Sequence, residues 1–258
     1  MPSPTPLGME PIINQPFLYV NNLNISFGST TTALVSSGQC RDATNEFDMI
    51  LSSGVTINVA TNGINGLDTG TIAVSSDYAV YLIGDGRGFS PTGTIISLNT
   101  SGAPFLPFGY NILRRIGWIK TDSSANILRF FQSGTGSVKS YQWGANIAVY
   151  GPATVTTGFV AQALTAGVPP IAGPVWLGGS WTPNAAADTL TIRSTGSGFS
   201  NGNAVVSGDV ASVAHVIQPF KYLTLLNGAS PSEPSIDLKG TSASDSLTLN
   251  VVGYEDSL

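Results

Sequence analysis

The chain has 258 residues, 42% of them hydrophobic, which is enough for real cores and too apolar for a disordered segment. Only 10% are charged, against roughly 25% in an ordinary soluble domain, and a net charge of −5 leaves no basic footprint for nucleic acid or an anionic membrane. A single cysteine, Cys40, excludes an intrachain disulfide and a cysteine-based zinc site.

Residues 1–16 carry Pro2, Pro4, Pro6, Pro11 and Pro16. Proline fixes φ and removes a backbone donor, so this stretch reads as an extended arm and not as a central strand. It has no basic region followed by an apolar run, so synthesis and folding without export are expected. Ile12, Ile13, Phe17 and Leu18 are its apolar anchors if the arm docks on a neighbouring protein.

From Phe17 onward the pattern is short, β-branched and of period two. Val55, Ile57 and Val59 alternate with Thr56 and Asn58, and Leu247, Leu249 and Val251 alternate with Ser246, Thr248 and Asn250. Such alternation puts apolar side chains on one face of a pleated strand. Strands are also expected over 17–27, 47–51, 78–83, 94–98, 112–120, 127–131, 190–193 and 222–226. Asn-Gly pairs at 62, 65, 201 and 227, and the Gly84-Asp85-Gly86-Arg87-Gly88 run, supply the turns between them. No stretch sustains a helical apolar stripe for more than two turns. Residues 159–166 and 210–217 come nearest, and both fit a strand as well. The expected fold is all-β, with two antiparallel β-sandwich or jelly-roll-like domains.

A domain boundary is expected around Gly144 and Gly151-Pro152, giving an arm at 1–16, an N-terminal β domain at 17–145 and a C-terminal one at 150–258. No charged residue stands between Lys139 and Asp188, and the back half holds only Arg193, Lys221 and Lys239 as cations.

Candidate chemistry is thin. His215, the sole histidine, lies in an apolar stretch with no G-x-S-x-G elsewhere to supply a nucleophile, so a hydrolytic triad is not expected. Asp42, Glu46 and Asp48 are close enough in sequence to invite comparison with paired glycosidase carboxylates, but Arg41 beside them favours a neutralised loop. The Gly84 run follows an apolar strand, yet Phe89-Ser90-Pro91 cannot open the helix that a phosphate loop requires. No spacing fits a calcium loop, so neither metal nor cofactor is expected.

The segment Leu106-Pro107-Phe108-Gly109-Tyr110-Asn111-Ile112-Leu113-Arg114-Arg115-Ile116-Gly117-Trp118-Ile119 leads into Lys120-Thr121-Asp122-Ser123-Ser124-Ala125-Asn126-Ile127-Leu128. This run resembles a signature of tailed-bacteriophage virion proteins of the fibre-like or head-decoration kind. Gly38-Gln39-Cys40-Arg41-Asp42-Ala43-Thr44-Asn45 and Tyr78-Ala79-Val80-Tyr81-Leu82-Ile83 are similar to the same proteins. The resemblance spans residues 17–135 and carries no catalytic residue. Read physically, Pro107 and Gly109 make a turn, 112–120 runs as a strand, and 121–126 connects it to its return. Arg114 and Arg115 point to opposite strand faces, so one lies inward and needs a partner. Asp42 and Asp48 are the expected members of that structural clamp.

These readings imply a non-enzymatic virion structural protein, a capsid-decoration or head-fibre component or one of the neck or tail fibre. It would be assembled in the host cytoplasm and located in the virion. It is expected to act as a homotrimer bound to capsid, portal or tail components. The alternative is a module that binds host surface glycans, with Trp176 and Trp181, flanking Gly178-Gly179, as stacking platforms.

Overall fold

A computed structural model describes residues 18–98, 103–171, 173–195, 203–227 and 230–258. The arm at 1–16, with Ile12 and Ile13, and also Phe17, lies outside the described residues. The chain is all-β: the described residues form antiparallel sheets and no helix. It divides into two compact units, Met1–Ser140 with Ser257–Leu258, and Tyr141–Asp256.

The first unit holds strands β1 (Val20–Asn22), β2 (Ile25–Phe27), β3 (Thr32–Val35), β4 (Gly38–Arg41), β5 (Asp48–Leu51), β6 (Val55–Asn58), β7 (Asp77–Gly84), β8 (Gly93–Ser97), β9 (Ile112–Lys120) and β10 (Phe130–Ser133). Three small sheets result, with orders β1-β4-β5, β2-β3-β6 and β8-β7-β9. Strand β7 is central in its sheet and buried along nearly its whole length, which is why Tyr78 to Ile83 reads as a continuous apolar run and not as an alternating one. The single strand expected over 17–27 is broken in two. Asn22 and Leu23 adopt left-handed φ values of 57° and 54°, which turns the chain between β1 and β2 while Leu23 enters the core.

The second unit holds most of β11 (Val138–Thr154), then β12 (Val160–Ala163), β13 (Gly173–Thr182), β14 (Thr189–Ser194), β15 (Asn203–Ser207), β16 (His215–Asn227), β17 (Ser230–Gly240) and β18 (Ser246–Ser257). Their order is β11-β18-β13-β16-β17-β14-β15, with β12 on β17. Strand β16 pairs with β13 as far as Thr224 and with β17 from Leu225, so one long strand serves two sets of neighbours. The alternation read at Leu247, Leu249 and Val251 holds, since all three are fully buried. Tyr141 stacks on Tyr254 at 4.6 Å between ring centres, and Trp143 lies tilted against the same ring.

The division between units falls at Ser140/Tyr141, several residues before the expected boundary, and Gly144 and Gly151-Pro152 sit inside β11 and break nothing.

Candidate functional site

The side chains singled out in the sequence do not converge on one reactive centre. In the first unit they are held apart: Asp42 and Arg114 are buried, Arg115 is half-buried and Asp48 is exposed. Asp42 closes the loop between β4 and β5. Its carboxylate accepts bonds from the amides of Thr44, Glu46 and Phe47 (3.0, 2.8 and 2.8 Å) and from the Thr44 hydroxyl. Burial alone would raise its pKa, but these donors outweigh burial and hold the carboxyl below the usual range. Asp48 lies 3.5 Å from Arg41 across the β4–β5 ladder. The carboxylates at 42 and 48 thus serve a loop and a neighbouring arginine.

Of the two arginines in β9, Arg114 is the inward one, at 5% exposure. Burial pushes its guanidinium below its ordinary range, the Arg115 charge adds to this, and Asp42 works against it. Asp42 therefore acts on Arg114 through the field, while its oxygens are taken up by its own loop. Arg115 lies over the Trp118 ring at 5.1 Å and donates from Nη2 to the Ser257 carbonyl at 3.2 Å.

Two buried lysines escaped the sequence reading. Lys120 makes a bidentate pair with Asp77, its cross-strand partner, at 3.0 and 3.1 Å. Desolvation still raises the Asp77 carboxyl above its usual range, with Lys120 pulling the other way. Lys139 is fully buried. Its ammonium donates to the Asn22 carbonyl (2.7 Å), Asn24 Oδ1 (2.7 Å) and the Gly134 carbonyl (3.0 Å), tying the β1–β2 turn to the loop before β11. Burial pushes its pKa down to about 8. A signal was present: Lys139, Tyr141 and Trp143 alternate along one strand face, and all three are buried. Cys40 is buried too, and burial pushes its thiol up to about 12, so it is no nucleophile.

In the second unit Trp176 and Trp181 lie within strand β13 and not in a loop. Trp181 has 0% exposure and packs against His215, so it offers no face to a sugar, and its assignment as a stacking platform is corrected here. Trp176 is half-buried, with Lys221 Nζ 5.6 Å from its ring centre and the Lys221–Glu255 pair (2.9 Å) alongside. His215 Nε2 stands 3.5 Å from the exposed carboxylate of Asp209, too long for a good hydrogen bond. Among the described residues no group of three or more His, Cys, Asp or Glu is placed to hold a metal ion.

Among the described residues, the largest exposed apolar side chains are phenylalanines of the first unit, and three stand out. Phe89, Phe105 and Phe108 are 82%, 69% and 105% exposed. Phe89 sits on the β7–β8 connection and the other two on the approach to β9. These two loops are fastened together: the Tyr110 hydroxyl donates to the Pro91 carbonyl at 2.9 Å, and the Gly86 amide to Asn111 Oδ1 at 2.8 Å. Gly109, at φ 91°, lets the chain double back between Pro107 and Tyr110, which leaves Phe108 at the tip of the turn.

No protein-family model and no curated protein matches the chain. Among solved structures it is similar to a tryptic core variant of Cry1Da from Bacillus thuringiensis, at 11% identity and a TM-score of 0.22 over 94% of this chain and 53% of that one. It is also similar to a chain of the T13 IBDV viral particle, at 9% identity and a TM-score of 0.18 over 92% of this chain and 67% of that one. The chain thus spans about half the length of the first. Both scores lie far below those of a shared fold.

Proposed function

We propose that the protein is a structural component of a bacteriophage virion, a capsid-decoration or head-fibre protein or part of the neck or tail fibre, which acts by assembly and catalyses no reaction. One observation carries this reading: nine of the chain's 25 charged side chains are buried. Asp42, Asp85, Arg114, Lys120, Lys139, Asp188, Asp237, Asp245 and Asp256 are all buried, out of a chain in which only 10% of residues are charged. The surface is therefore poorer in charge than the composition implies, while three phenylalanines stand almost bare on it. Such a surface is unfavourable on a free monomer and suits one covered by neighbouring subunits. The phage-like segment around Arg114 and Arg115 supplies the setting. Copies of this chain, three in the homotrimer proposed here, would cover one another around a closed symmetry axis on a particle and contact capsid, portal or tail proteins.

Size-exclusion chromatography with light scattering tests the assembly directly: a homo-oligomer is expected at micromolar concentration, and a monomer refutes it. Mass spectrometry of purified, tail-separated capsids then decides head against tail. A second reading, glycan binding, is favoured by Trp176 alone, an outward aromatic beside an ion pair. Glycan-array binding that Trp176→Ala removes would support it.

A further inference from the structure

The described chain begins, at Leu18, beside the segments that carry the exposed phenylalanines. Leu18, the first described residue, has its amide donated to Asn45 Oδ1 at 2.8 Å, in the loop that Asp42 closes. That loop touches both phenylalanine-bearing segments. The Ala43 amide donates to the Leu113 carbonyl at 2.8 Å, next to the turn that carries Phe105 and Phe108. The Phe47 ring lies so close to Gly86 that an added Cβ would meet it at 3.1 Å, and Gly86 begins the loop that carries Phe89. Leu18 therefore stands beside the face.

We infer that Phe89, Phe105 and Phe108 form the docking site for residues 1–17 of a second copy of this chain, so that neighbouring subunits exchange arms. This inference rests on the assembly proposed above. The arm has the chemistry the face calls for. Five prolines favour a polyproline II conformation, which aromatic surfaces recognise at low entropic cost because the free chain is already restricted. Leu7, Met9, Ile12, Ile13 and Phe17 supply apolar contact. The sole charged side chain in the segment is Glu10, and Arg87 stands beside the face, 65% exposed, paired with Asp85 at 3.1 Å and 5.6 Å from the Phe89 ring centre. At about 3.1 Å per residue the segment reaches roughly 50 Å, ample to cross to a neighbour.

Exchange, and not docking within one chain, follows from two considerations. An arm folded back on its own subunit would cover the face and leave the rest of a charge-poor surface bare. Donor and acceptor at the same end also permit reciprocity: one symmetry axis beside that end brings each arm to the other's face. Each phenylalanine buries on the order of 150–250 Å², so a reciprocal exchange exceeds the roughly 1,000 Å² that a stable interface needs.

The test uses the full chain in three forms: unmodified, with the face substituted (Phe105→Ser with Phe108→Ser), and with the arm substituted (Ile12→Ser with Ile13→Ser). Circular dichroism is expected to be unchanged. Should Phe105→Ser alter it, Phe108→Ser alone carries the test, because that ring is fully exposed. In a dilution series followed by light scattering, each variant is expected to dissociate at a concentration at least about tenfold above that of the unmodified chain. An equal mixture of the two variants should regain part of that loss, since each mixed pair retains one intact arm and one intact face. An oligomer indifferent to both substitutions, or a mixture that regains nothing, overturns the exchange and leaves the assembly reading standing. A monomeric unmodified chain overturns both. Loss of binding to phosphatidylcholine vesicles in the face variant, with its oligomer intact, would reassign the face to lipid.

Discussion

Replacing Lys139 by methionine keeps most of the side chain's volume and removes its ammonium, which separates packing from charge at a fully buried position. Three charge-assisted bonds disappear, to the Asn22 carbonyl, Asn24 Oδ1 and the Gly134 carbonyl. Each is worth about 1.5–3 kcal/mol net. Against this, the variant escapes the desolvation that lowers the pKa from 10.5 to about 8, a relief of about 3 kcal/mol. Asn22 and Gly134 are exposed residues, so water can replace part of what their carbonyls lose. The balance is a destabilisation of about 2 kcal/mol. Lys139 also has a pH signature. The folded state holds this proton more weakly than the unfolded chain, so between about 8 and 10.5 the unfolded chain binds more protons and stability rises with pH. Urea denaturation followed by circular dichroism, on both proteins from about pH 7 to about pH 10, reads both effects. The unmodified chain should be the more stable at neutral pH, and its margin should widen as pH rises. A methionine variant of equal stability at neutral pH, or a margin that stays flat or narrows, refutes the reasoning.

Lys120→Ala should lower stability by about 3–5 kcal/mol in the same assay, because it strands the Asp77 carboxylate in a site where burial already disfavours its charge; a loss under about 1 kcal/mol would mean the pair is dispensable. Arg114→Ala should cost about 2–4 kcal/mol, as removing half of a buried charge arrangement does, and Arg115→Ala clearly less, because its side chain is only half-buried and donates to the Ser257 carbonyl at an exposed position. Equal effects would contradict the inward placement of Arg114 alone. Cys40, buried and with its thiol raised to about 12, should resist an aqueous thiol reagent near neutral pH in the native protein and react fully in urea; rapid labelling of the native chain would show that β4 opens readily.

What was legible in the sequence was local and periodic. Strand β9 spans Ile112–Lys120 as read, because a proline–glycine turn precedes it and an Asp-Ser-Ser-Ala-Asn connection follows. The glycine run at 84 is a hairpin loop, for the reason given: nothing after it can start a helix. Strand β11 was not legible. Its seventeen residues include Lys139 in a buried slot and Gly144 and Gly151-Pro152 in its course, each a local signal against a strand. Pairing along a long neighbour overrides such signals, and pairing is a tertiary fact. Trp181 failed for the same reason, since the glycines beside it suggested a loop where β16 and β18 in fact hold both sides of β13.

The parity of Arg114 and Arg115 was readable because adjacent residues on any strand face opposite ways. Their partners were not, because partners depend on how β4, β5 and the 42–47 loop register against β9. The phenylalanines raise the converse difficulty. Pattern reading assigns apolar residues to the inside by default, so nothing in the sequence marks Phe89, Phe105 and Phe108 as exposed. Only three-dimensional placement shows that Phe108 is fully exposed while Lys139 and Lys120 are enclosed. The two facts belong together. A fold that commits nine of its 25 charges to its interior has fewer left to keep an apolar loop face in solution, and the segment that precedes Leu18 has the apolar composition to cover that face.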